Sequence, residues 1–130
     1  MYDGTMIQIR FIAILVFGSL LFGCQTRAQR PQRIAHVVFI ELSDPRDSEE
    51  ILRDSESMLS TIPGVSTYHA GAHLDTGRPT ILDDYDLAII LGFETEADLA
   101  HYVAHEQHIG YVTKWKPKLK ALRVYDVLDE

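Results

Sequence analysis

Four stretches rich in β-branched and aromatic residues alternate with stretches whose apolar residues recur every three or four positions. The first pattern predicts strands, and the second predicts helices with one buried face. The predicted strands comprise residues 34–42, 65–72, 85–93 and 122–127. One helical segment follows the first strand and another follows the third, so the order is β-α-β-β-α-β, which is typical of ferredoxin-like domains. The pattern therefore predicts an α+β fold with a four-stranded antiparallel sheet.

Capping residues indicate where the two helical segments begin. Asp47 and Thr95 precede the periodic stretches, and side chains of both types accept hydrogen bonds from the first free N–H groups of a helix. The second segment is predicted to break near residues 105–107 and then to resume. Pro117 limits the resumed piece, because proline has no N–H to donate to the helical ladder.

The third predicted strand is apolar on both of its faces. Its central run, residues 87–91, reads LAIIL, whereas a strand with one face in water alternates apolar and polar residues. Two helical segments can cover only one face of the sheet in a chain of this length. A second copy of the chain is the simplest cover for the other face. The alternative is that the polar loop, residues 73–84, packs over part of it.

The first 23 residues are predicted to be a signal peptide of the lipoprotein type. Arg10 precedes an apolar run, residues 11–22, which has the length of a signal-peptide core and is short for a transmembrane helix. A glycine and then Cys24 follow, which resembles the site where a bacterial lipoprotein is cleaved and its new N-terminal cysteine acylated. A plain signal peptide or an uncleaved anchor is the alternative. Met6 offers a second start besides Met1.

Cys24 is the chain's single cysteine, so it has no internal disulfide partner. Residues 24–33 are polar and arginine-rich, and they are predicted to be a flexible tether. The folded domain is predicted to span residues 34–128. Together these features predict a protein lipid-anchored in the bacterial cell envelope, facing the periplasm or the exterior.

Charge excludes one class of partner. The formal net charge is −7, whereas nucleic-acid binding needs a basic surface. No glycine-rich phosphate loop is present either, so the sequence predicts no nucleotide cofactor. Lysines do alternate near the C-terminus, and they are interpreted as a solvated surface with no assigned anion site: Lys114, Lys116, Lys118 and Lys120.

The candidate chemistry lies in the second helical segment, where Tyr102 and His108 lie on or near one face. A histidine can act as a base at neutral pH, and a tyrosine hydroxyl can donate a hydrogen bond to a carbonyl oxygen. His101 and His105 are four residues apart and are weak candidates for a metal pair, but zinc would require a third ligand. We therefore expect no metal.

Several short segments also occur in an order and spacing that characterises one family. They are IAHVVF (34–39), IPGV (62–65), YDLA (85–88), FET (93–95), the stretch 102–108, and VYD (124–126). Over nearly all of residues 34–127 the chain resembles the stress-responsive α/β-barrel family, or Dabb domains. The resemblance implies ferredoxin-like protomers that pair sheet to sheet as a dimeric α/β barrel.

The resemblance also implies site residues. A plant member is a polyketide cyclase that closes a linear poly-β-keto acid by an aldol reaction, using a helical tyrosine and the second histidine of a His-Pro-x-His motif. Tyr102 and His108 match those positions, and His36 matches a histidine that lines the same cavity. Glu106 stands where the family often has proline, which would fix the helix break. The geometry of His108 therefore depends on the break forming without proline.

Three functions fit these observations. The first is an envelope-anchored homodimer that binds a small apolar ligand in a histidine-lined cavity. The second is a cofactor-independent enzyme, similar to a polyketide cyclase or a monooxygenase, with His108 as base and Tyr102 as hydrogen-bond donor. The third is a purely structural dimeric interaction module. Convergence of His36, Tyr102 and His108 on an open cavity would favour the first two.

Overall fold

A computed structural model describes Arg30 and residues 32–129 of the chain. The predicted signal peptide, the lipidation site at Cys24 and most of the predicted tether lie outside the described residues. None of the helices within the described part combines the length and the apolar character needed to cross a membrane.

The domain has the predicted element order, with the second helical segment divided in two. The elements are β1 (Ile34–Leu42), α1 (Ser48–Leu59), β2 (Thr67–Ala72), β3 (Leu87–Phe93), α2 (Glu96–Ala104), α3 (Glu106–Trp115) and β4 (Leu119–Leu128). The four strands form one antiparallel sheet in the order β2-β3-β1-β4. This topology confirms the predicted ferredoxin-like α+β fold.

Strand boundaries differ from the prediction where pairing decides them. β4 begins at Leu119 instead of residue 122, because β1 continues to pair with it past an irregularity at Glu41/Leu42. β2 and β3 begin two residues later than predicted, at Thr67 and Leu87. Strand ends depend on the neighbouring strand, which propensity along one segment does not report.

One of the two predicted caps is confirmed. The Thr95 hydroxyl oxygen accepts a hydrogen bond from the backbone N–H of Asp98 at 3.1 Å. The prediction for Asp47 is wrong: it immediately precedes α1, but its side chain makes no capping hydrogen bond. The Lys118 ammonium group donates to the Asp47 carboxylate at 3.3 Å instead. A tertiary ion pair has replaced the local cap.

The two faces of the sheet differ in what covers them. The helices pack on one face, where the buried strand residues include Ile40, Ile89 and Phe93. The residues between these in the strands point to the opposite face. They include Val37 and Tyr125, which are direct cross-strand neighbours. We call this second surface the far face. It is largely apolar, as the sequence predicted.

The 73–84 loop reaches only one end of the far face. Next to it, Tyr85 packs edge-on against Phe39, with the ring centroids 4.9 Å apart. Leu74 and Leu82, in the loop itself, are 73% and 71% exposed, so the loop is not a packed cover. Tyr125 remains 52% exposed. Within one protomer, much of the far face is therefore open.

Candidate functional site

A cavity of about 260 Å³ lies between the helix-covered face of the sheet and the helices. Its volume lies near the lower end of the range of small-molecule sites, so it suits a small ligand. Most of its wall is aliphatic, supplied by β1, β3, β4, α1 and α3: Val38, Ile40, Ile51, Leu59, Ile89, Leu91, Val112, Leu119, Leu122 and Val124. His36, Tyr102 and His108 also line it. The three residues identified from the sequence thus meet at one site.

Tyr102, on α2, supplies the hydroxyl group of the site. Its ring centroid lies 4.6 Å from that of His108 and 5.7 Å from that of His36. Burial raises the pKa of Tyr102, so the phenol stays protonated at neutral pH and can donate a hydrogen bond. The hydroxyl groups of Tyr68 and Tyr111 bond to Ser55 and to a backbone carbonyl. That of Tyr102 has no such partner within residues 32–129.

His108, near the start of α3, has a defined tautomer. Its Nδ1 lies 2.9 Å from the carbonyl oxygen of Val103. A carbonyl can only accept, so Nδ1 carries the hydrogen and Nε2 keeps a free lone pair. Burial lowers the pKa of His108, and the nearby His36 acts in the same direction, while the bond to Val103 opposes the shift. The imidazole is therefore a neutral base at neutral pH.

The helix break that positions His108 forms without proline. His105 separates α2 from α3 in an extended conformation, with ψ of 142°. Its Nδ1 accepts a hydrogen bond from the backbone N–H of Gln107 at 3.3 Å, so the histidine side chain itself caps α3. Glu106 is then the first residue of α3. The departure from the family motif leaves the break in place.

Asp126 is a site residue that the sequence did not identify. It lies directly opposite His36 in the β1–β4 register, and its Oδ1 is 2.7 Å from His36 Nδ1. The carboxylate accepts the hydrogen on Nδ1, which fixes the orientation of the imidazole ring. Nε2 of His36 takes no part in this hydrogen bond. The signal that would have found it is the strand register. Asp126 lies within the VYD segment, but nothing local to that segment pairs it with His36.

His101 and His105 lie outside the cavity wall. Their ring centroids are 5.5 Å apart, and Nδ1 of His105 is already engaged in the cap. Across the described part of the chain, no three His, Cys, Asp or Glu side chains are grouped closely enough to hold a metal ion. Two imidazoles alone fall short of the three or four protein ligands of zinc sites.

The sheet topology defines a ferredoxin-like α+β domain with a cavity between its sheet and its helices. The chain belongs to the stress responsive A/B barrel domain family, Dabb, whose model matches residues 34–129. No curated protein matches the sequence.

Solved structures give the same fold. A Dabb family protein from Mesorhizobium loti is 25% identical, with a TM-score of 0.63, and the match covers 75% of this chain and 96% of that one. A dimeric ferredoxin-like protein of unknown function from Thermobifida fusca is 20% identical, with a TM-score of 0.63, covering 74% and 90%. A hydroxynitrile lyase from Passiflora edulis is 15% identical, with a TM-score of 0.66, covering 78% and 96%.

Proposed function

We propose that the domain binds a small, mainly apolar carbonyl compound in the cavity between its sheet and its helices. The observation that carries this proposal is that the Tyr102 hydroxyl, which has no partner within residues 32–129, and an imidazole with a free Nε2 line one apolar cavity. An apolar pocket with a few convergent polar groups is the usual form of a small-molecule site. A purely structural module would have no use for these groups.

Proton transfer on that ligand is the second part of the proposal. His108 abstracts a proton next to the carbonyl, and Tyr102 donates a hydrogen bond to the developing enolate oxygen. The lowered pKa of His108 favours this role, because a neutral Nε2 is available at neutral pH. The reaction needs no cofactor. The lyase from Passiflora edulis shares the fold and is an enzyme, so the scaffold is compatible with catalysis.

Deuterium exchange tests both parts. Octan-2-one is incubated with the protein in heavy water, and NMR follows the exchange of its α-hydrogens. Acceleration by the parent protein is expected, and Tyr102→Phe should reduce the rate by about 100-fold, the usual effect of removing an oxyanion donor. Tyr125→Phe, on the far face, is the matched control and should exchange like the parent. Binding without exchange would leave only the ligand-binding role; absence of both would refute the proposal.

We also infer that the protein is a homodimer that buries the far face. The support is the apolar surface left open in one protomer, including Tyr125 at 52% exposure. The relative from Thermobifida fusca is described as dimeric. Sedimentation equilibrium of the folded domain is the test, and a monomer at high concentration would refute the inference.

Anchoring in the bacterial envelope, through lipid on Cys24, completes the proposal. The support is the apolar run followed by glycine and cysteine. Expression with labelled palmitate should give a labelled protein in the membrane fraction, and Cys24→Ser should be unlabelled. Label retained in Cys24→Ser would refute the assignment.

A further inference from the structure

Lys116 differs from the neighbouring lysines in its surroundings. The Lys114 Nζ lies 2.7 Å from a carboxylate oxygen of Glu50 and 2.6 Å from one of Asp54. The Lys118 Nζ lies 3.3 Å from a carboxylate oxygen of Asp47. Lys120 is paired with Glu41. Within residues 32–129, Lys116 has no carboxylate within ion-pair distance, and it is the one of the four that lines the cavity. Lys116 is thus solvent-exposed and also borders the cavity.

The cavity wall makes this cation conspicuous. Apart from Lys116 and the two histidines, the residues that line the cavity are uncharged. The Asp126 carboxylate pairs with His36 but is not itself a lining residue. The chain as a whole carries a net charge of −7, which repels anions at long range. A single lysine at an apolar cavity is thus a local exception to the charge of the protein, and it is accessible because Lys116 is exposed.

We infer that the cavity selects an apolar chain that ends in a carboxylate, with the carboxylate at Lys116 and a carbonyl group at Tyr102 and His108. Lys116 directly follows the end of α3 and comes eight residues after His108, a separation of about 12 Å at the rise of an α-helix. A linear ligand of medium length spans such a separation. The head group is expected to carry one negative charge, because a phosphate is usually held by several cations or N–H donors and only one lysine is present.

This inference rests on the proposed ligand-binding function and deepens it by naming the ligand class. Two probes isolate the carboxylate: octan-2-one and 7-oxooctanoate share a methyl ketone at one end of an apolar chain, and only the second has a carboxylate at the other end. Trp115 is the chain's single tryptophan and lines the cavity, so its fluorescence reports binding of both probes.

The parent protein should bind 7-oxooctanoate about fivefold more tightly than octan-2-one, since a partly exposed ion pair contributes at most about 1 kcal/mol. Lys116→Gln should abolish that preference, so that the variant binds the two probes with equal affinity. Lys120→Gln is the matched control, because Lys120 is exposed and does not line the cavity. The preference should also shrink with added salt in the parent and not in Lys116→Gln.

The outcomes separate the two levels of the proposal. If both probes bind the parent equally, or if the preference survives in Lys116→Gln, the carboxylate assignment is overturned and the ketone site remains. If a folded parent binds neither probe, the proposed function fails and this inference fails with it.

Discussion

The two faces of the sheet are built from the same strands and are similarly apolar, yet they differ in their surroundings. Ile89 and Ile90 are consecutive in β3, but Ile89 is 1% exposed beneath the helices while Ile90 lies on the far face. The helix-covered face borders the cavity, which His36, Tyr102 and His108 line. The far face carries an open row of aromatic rings, in which Phe39 contacts both Tyr85 and Tyr125.

This difference shows how one alternating pattern can serve two purposes. On the covered face, burial stabilises the protomer and also shifts the pKa values of Tyr102 and His108. On the far face, the same kind of side chain is left for assembly. Stability and site chemistry thus belong to one face, and the proposed dimerisation belongs to the other.

Truncation of the two adjacent isoleucines should give the largest contrast. Ile89→Ala is expected to lower the free energy of unfolding by about 2–5 kcal/mol, because it leaves a hole in a packed core. Ile90→Ala should lower the free energy of unfolding of the protomer by less than half of that amount. Urea denaturation at several protein concentrations separates folding from association. Equal losses at the lowest concentration would show that the two faces are equally packed within one chain.

A charge on the far face should break association specifically. Tyr125→Asp is expected to raise the dimer dissociation constant on the order of 100-fold, since an unpaired carboxylate would be buried at the interface. Ile109→Asp is the control, because Ile109 is 53% exposed but lies on α3. Sedimentation equilibrium provides the measurement. Similar effects from both variants would place the interface elsewhere.

The pH dependence of catalysis should reveal the environment of the covered face. Because the pKa of His108 is lowered from 6.5, Nε2 remains free to below that pH. The exchange rate for octan-2-one should therefore fall as the pH is lowered, with a midpoint below pH 6.5, and the fall should approach about tenfold per pH unit below that midpoint. His69→Gln, at an exposed position of β2 outside the cavity wall, should leave the profile unchanged. A midpoint at or above 6.5 would contradict burial of His108.

The same shift predicts a change in stability. The unfolded chain binds the His108 proton at a higher pH than the folded protein does, so this contribution to stability is complete above pH 6.5 and declines as the pH falls toward the lowered value. Denaturation of His108→Gln across this range should show a weaker decline.

The smallest effect is expected at Glu106. Proline is favoured at the first position of a helix, and His105 already has the extended ψ of 142° that a following proline requires. Glu106→Pro should therefore fold with its unfolding free energy raised by at most about 1 kcal/mol. Thermal denaturation and the exchange assay measure it. A large loss of stability or of exchange rate would mean that the glutamate side chain stabilises the helix-covered face.

Much of the fold could be read from local patterns. The break at 105–107 and the Thr95 cap depend on residues a few positions apart, and both are confirmed. Asp47 failed as a cap because its side chain pairs with Lys118, which is 71 residues away. β4 begins early because β1 extends to meet it. Errors arose where a distant segment competes with a local preference.

The candidate site divides in the same way. Tyr102 and His108 are close in the chain, so their pairing was visible in the sequence, and His36 came from the family resemblance. Asp126 required the strand register, and Val103 contributes a backbone carbonyl, which has no sequence signature. The distinction of Lys116 from its neighbours required knowing which carboxylates are nearby.

The sequence alone determined the element order, the apolar character of both sheet faces and the set of titratable groups, because periodicity and residue type are local properties. Only the tertiary structure decided which face the helices cover, which imidazole nitrogen stays free and which lysine lines the cavity. Those outcomes depend on hydrogen bonds, ion pairs and burial between segments far apart in the chain.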